Sequence, residues 1–125
     1  MSGIESYRDL IAWKKAYALG LALYHFSAKL PEHERFGLTT TLRRTALLLP
    51  RLIAEGYGKQ HTAAYLTNLR NARSTTYDLD TQIMFAVGLN YASEEECDVL
   101  QERVAECGKI ISGLIRKMEL PQSNA

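Results

Sequence analysis

Six basic side chains, Arg43, Arg44, Arg51, Lys59, Arg70 and Arg73, cluster in the middle of this 125-residue chain, with Tyr57, Tyr65 and Tyr77 interleaved among them. Guanidinium groups grip phosphate oxygens as a two-pronged fork, and tyrosine rings stack on unpaired bases. The combination is a candidate nucleic-acid surface. Arg44, Leu48, Arg51 and Glu55 recur at three and four residues, so they share one face of a helix. The competing reading is structural: Arg51 pairs with Glu55, and Arg73 with Asp80, within or between subunits. Exposed pairs of that kind carry little energy.

The overall charge argues against a polyanion partner until it is split along the chain. Lys and Arg number 15 against 14 Asp and Glu, a net charge of +1. Residues 1–75 hold eleven basic and five acidic residues, +6; residues 76–125 hold four basic and nine acidic, −5. The neutral sum therefore excludes only an indiscriminately basic protein. Mutual pairing of the two halves is the alternative use of this polarity.

Other chemistry finds no support. Glu55 is a lone carboxylate near a helix end, with no second acid or base at a compatible spacing. His25, His33 and His61 lie on separate segments, and no Glu-x-x-His pair is present, so neither a metal nor a cofactor is expected. Cys97 and Cys107 are ten positions apart on one helix, about 15 Å along its axis, too far to bridge. Two unpaired thiols fit a reducing compartment, and no signal pattern or membrane-length apolar run is present; the expected location is cytoplasmic.

Four helical segments must position these residues. The first spans about Tyr7 to Lys29, with Leu10, Trp13, Tyr17, Leu21 and Tyr24 on one line and Ala16, Leu19, Leu23 and Phe26 on another. Pro31 stops it. The second spans about Glu34 to Tyr57, with a tight start at Gly37 and a kink expected near Ala46–Pro50. Gly56 and Gly58 are expected to end it in the left-handed conformation, and His61 or Thr62 to cap the third, Ala63 to Val87. Gly88 and Asn90 break the third, and Ser93 with Glu96 forms a capping box for the fourth. The fourth carries a heptad, Leu100, Val104, Cys107, Ile111, Leu114 and Met118, with an acidic first turn and a basic last turn that match the helix dipole.

No strand signal competes. The fold class is all-α: an antiparallel up-down-up-down four-helix bundle over 7–120, about 35–40 Å long, between disordered ends at 1–6 and 121–125. The first helix is apolar over a wider arc than one bundle buries, and Leu47, Leu48 and Leu49 run consecutively. Trp13 and Tyr17 with these leucines are the expected core or oligomer contacts, so a homo-oligomer is expected.

Several short strings, taken in order, resemble the proteins encoded by 23S rRNA intervening sequences. They are Asp9-Leu10-x-x-Trp13-Lys14, Glu34-Arg35-Phe36-Gly37-Leu38-Thr39, Leu42-Arg43-Arg44-x-Ala46, Pro50, and Ile53-Ala54-Glu55-Gly56-Tyr57-Gly58-Lys59, followed by Asp78-Leu79-Asp80-Thr81-Gln82 and Gly88-x-x-Tyr91. The chain is more distantly similar to the accessory variability proteins of diversity-generating retroelements. The resemblance spans Tyr7 to Met118 and implies a cytosolic, non-catalytic bundle assembled as a ring-like homo-oligomer, commonly a pentamer, some relatives of which bind nucleic acid through a basic surface. The expectation is a non-enzymatic accessory protein binding RNA, or DNA, through the Arg-rich surface. The alternative is an interaction scaffold for a protein partner. No membrane partner is expected.

Overall fold

The computed structural model describes residues 3–120. It contains four long helices, α1 (Ile11–Ser27), α2 (Leu38–Gly58), α3 (Thr62–Gly88) and α4 (Glu94–Glu119), and two 3-10 turns, Tyr7–Asp9 and Glu32–Glu34. No strand occurs among the described residues. Each helix packs antiparallel on the next, and α1 closes onto α4, which makes a four-helix bundle. Its core is aliphatic, with Leu19, Leu23, Leu42, Leu49, Ile53, Leu69, Leu79, Ile83 and Ile111 almost wholly buried.

The helix starts differ from the periodic pattern where a side chain captures backbone donors. The expected single helix from Tyr7 is divided. Ser6 Oγ accepts from Arg8 N, and Asp9 Oδ2 accepts from Glu5 N and Ser6 N, closing a capping box on the first 3-10 turn. Leu10 is extended, and α1 begins after it. The second helix likewise starts at Leu38, not Glu34. Glu34 lies in its own 3-10 turn, and its Oε1 accepts from Leu38 N at 2.9 Å. The expected tail at 121–125 lies outside the described residues, as do Met1 and Ser2.

α2 runs unbroken through Pro50. Proline has no N–H for the carbonyl four residues earlier, which leaves the Ala46 oxygen free of its helical donor. Gly20 of α1 sits against that carbonyl: a Cβ at Gly20 would lie 3.0 Å from Ala46 O. Gly20 thus lets α1 approach α2 closely beside the backbone oxygen that the proline has bared.

Gly56 and Gly58 lie within the helical span of α2, and the left-handed positions that follow α2 and α3 are Gln60 (φ 52) and Asn90 (φ 61). Gly56 serves packing instead. A Cβ there would fall 2.7 Å from Asn68 Cβ and 3.0 Å from the Tyr65 ring. His61 caps α3, its Nδ1 accepting from Ala64 N at 3.3 Å. Ser93 caps α4 by accepting from Glu96 N. The reciprocal half of that box is replaced, because the Glu96 carboxylate pairs with Lys29 of α1. The α4 stripe follows the heptad through Ile111 and then moves to Ile115, with Leu114 and Met118 only half-buried. A straight helix drifts about 20° per heptad, which accounts for the shift.

Candidate nucleic-acid interface

The six basic residues do not form one patch. Arg43 and Arg44, adjacent in sequence, are about 100° apart around α2. Arg43 faces α1. Its Nε donates to Ser27 Oγ at 2.7 Å, and its guanidinium lies 5.5 Å from the centroid of the Tyr24 ring. Ser27 is 1% exposed and donates to Tyr24 O, so Arg43 completes a part-buried network. Lys59 donates to Asn68 Oδ1, whose amide in turn donates to Leu52 O. Arg70 pairs with Glu119 at 2.6 Å. These three cations each have a partner on another helix of the chain.

Arg44, Arg51 and Arg73 make no ion pair with the described residues. Of the competing reading's pairs, Arg51 with Glu55 and Arg73 with Asp80, neither forms within the chain among the described residues. Arg44 and Arg51 are exposed on the outer face of α2, where they line a shallow depression of about 360 Å³ with Thr45, Leu47 and Leu48. Arg73 belongs to a different surface. It lines a groove of about 430 Å³ between α3 and α4, with Lys109 and Arg116 from α4 and Tyr77 and Asp80 from α3.

Lys109 and Arg116 are the residues that sequence reasoning missed. They lie in the acidic half of the chain, where Arg116 reads as a helix-dipole partner. Only the pairing of α3 with α4 sets them opposite Arg73. A signal was present in the spacing: Lys109, Ser112 and Arg116 recur at three and four on one face of α4.

The charge polarity is partly neutralised within the chain. Lys15–Glu106, Lys29–Glu96 and Arg70–Glu119 each join the basic first part to acidic α4. All six side chains are partly exposed, so each pair is worth at most about 1 kcal/mol.

The tyrosines also divide. Tyr65 is buried and packs edge-on against Tyr57, with ring centroids 6.2 Å apart, so Tyr65 cannot stack on a base. Tyr77 is 70% exposed at the rim of the α3–α4 groove. Trp13 is half-buried, stacked on Tyr17 at 5.0 Å and edge-on to Tyr7 at 5.1 Å. Leu49 is core, whereas Leu47 is 51% exposed and Leu48 half-buried.

Cys97 and Cys107 are free and buried, and burial pushes the Cys107 thiol up to about 11. No group of His, Cys, Asp and Glu among the described residues is arranged to hold a metal. Among the described residues, no helix is long and apolar enough to cross a membrane.

An all-α bundle of four sequential antiparallel helices, with basic side chains on separate outer faces, defines the class of protein. The profile of the 23S rRNA-intervening sequence protein family matches residues 8–113, and the chain belongs to that family. No curated protein matches it. Among solved structures, the chain is similar to a protein of unknown function from the S23 ribosomal protein family of Bacteroides thetaiotaomicron. The two are 14% identical with a TM-score of 0.79, over 85% of this chain and 96% of that one. That likeness is one of fold.

Proposed function

We propose that the protein is a non-enzymatic, homo-oligomeric, cytoplasmic bundle that binds single-stranded or structured RNA through its unpaired arginines. The observation that carries this reading is the division of the six basic residues. Arg43, Lys59 and Arg70 have partners in the chain, whereas Arg44, Arg51 and Arg73 have no ion-pair partner among the described residues. Exposed or half-buried guanidinium groups that no carboxylate occupies are available on two outer faces to fork onto phosphate oxygens. Repetition of these faces around a ring, the pentamer that the family resemblance implies, adds weak contacts through multivalency.

Self-association is supported by the exposed apolar side chains on one flank of α1, namely Tyr17, Leu21 and Tyr24, and by Leu47 on α2, each between 43% and 51% exposed. Gel-shift titration with a single-stranded RNA tests the binding. Binding is expected at low salt, with a steep decline as salt rises and loss in Arg44→Glu/Arg51→Glu.

A second reading, a scaffold for a protein partner, draws on a separate observation. Met84, Phe85 and Leu89 line an exposed apolar depression of about 380 Å³ at the end of α3. A nuclease-insensitive protein partner together with no RNA shift at low salt favours that reading.

A further inference from the structure

The α3–α4 groove carries more information than its charge. Its volume of about 430 Å³ lies within the range of small-molecule sites. Three cations, Arg73, Lys109 and Arg116, line it against a single acid, Asp80. Residue 108, in its lining, is glycine. A Cβ there would make an ordinary contact with Thr76 Oγ1 at 3.4 Å, so a methyl fits and only a larger side chain would take up groove space. Tyr77, 70% exposed, offers a free aromatic face at the rim.

We infer that this groove is a subsite for one nucleoside monophosphate unit. Arg73, Lys109 and Arg116 hold the phosphate, and the base stacks on Tyr77. The Asp80 carboxylate accepts a hydrogen bond from a ribose hydroxyl or a base N–H. A carboxylate beside the cations disfavours bare inorganic phosphate relative to a phosphate that carries such donors. The inference rests on the nucleic-acid reading for the source of the unit, a nucleotide within an RNA strand. A free nucleotide has the same chemistry, and the test separates the two.

The test is a titration of the full-length protein, followed by its backbone amide NMR signals, with adenosine monophosphate, adenosine, inorganic phosphate and a short single-stranded oligoribonucleotide. Adenosine monophosphate at millimolar concentration is expected to shift the amides of Tyr77, Gly108 and Ser112. Adenosine and inorganic phosphate are expected to shift them less. Arg73→Gln and Lys109→Gln each weaken the nucleotide by about tenfold, and Gly108→Leu removes its binding. The glutamine variants are exposed or half-buried polar changes, so they keep the test valid if Gly108→Leu fails to fold.

If the oligoribonucleotide shifts the same amides and Gly108→Leu weakens it, the unit belongs to a strand. If the mononucleotide binds and the strand does not, the groove stands as a free-nucleotide site and the RNA reading falls. If the strand binds through Arg44 and Arg51 while no groove amide moves with either ligand, the groove proposal is overturned and the RNA reading survives.

Discussion

The Tyr91 hydroxyl donates to Glu34 Oε2 at 2.6 Å, across 57 positions of sequence, and ties the α3–α4 loop to the start of α2. The other oxygen of that carboxylate caps Leu38 N, and His33 Nε2 lies 3.1 Å from the same hydroxyl. Gly37 belongs to this arrangement, since a Cβ there would sit 2.5 Å from Glu34 Oε1 and displace the cap. One carboxylate thus starts a helix and joins two loops.

These bonds hold the Glu34 carboxyl below the usual carboxylate range, the Leu38 N–H contributing most and the Tyr91 hydroxyl next. The folded value lies below the unfolded one, so the stabilisation is full above the unfolded value and is lost as pH falls through the folded one. Melting temperature is therefore expected to fall below about pH 4 in the wild type. Tyr91→Phe should lower it at neutral pH and reduce that acid-side dependence. Thermal melts by circular dichroism between neutral and acid pH check both.

Gly56 and Gly58, two positions apart on α2, should respond to alanine in opposite directions. At Gly56 the new methyl would meet Asn68 and Tyr65, and overpacking of about 1–3 kcal/mol exceeds the helix-propensity gain of about 1 kcal/mol. At Gly58 nothing lies within 4 Å of the added Cβ, so the propensity gain stands alone. Urea denaturation should show Gly56→Ala destabilised and Gly58→Ala stabilised by up to about 1 kcal/mol.

Tyr65→Phe should be tolerated or stabilising. The Tyr65 hydroxyl is buried without a hydrogen-bond partner among the described residues, and leaving such a group unsatisfied costs about 1–3 kcal/mol. An unchanged or higher urea midpoint is the expected result.

Arg43 and Arg44 separate into different experiments. Arg43→Ala leaves Ser27 without its donor and should cost about 1 kcal/mol of stability, with RNA affinity little changed. Arg44→Ala should leave the unfolding free energy within about 0.5 kcal/mol and weaken RNA binding. Parallel denaturation and anisotropy titrations distinguish the two.

The four helices were legible because their apolar residues recur at helical spacing and their breaks fall at Pro31, Asn90 and Ser93. The site was legible only as a residue inventory. Periodicity does not say that Arg43 turns toward Tyr24 while Arg44 turns outward, nor that α4 sets Lys109 and Arg116 opposite Arg73. It also misassigned Gly56. A glycine near a helix end suggests a left-handed cap, but here the close approach of α3 demands it and Gln60 takes the positive φ. The Ser6–Asp9 box was readable in the spacing, yet a helical pattern continuing from Tyr7 concealed the turn it closes.

The central claim is that unpaired arginines bind a nucleic-acid backbone. Fluorescence anisotropy of a labelled single-stranded RNA, titrated with the protein at a series of salt concentrations, tests it most directly. The predicted result is a linear fall of log affinity with log salt, with a slope that loses about 0.7 for each of Arg44, Arg51 and Arg73 replaced by glutamine. No binding at low salt, or binding with a slope that these replacements leave unchanged, would contradict it.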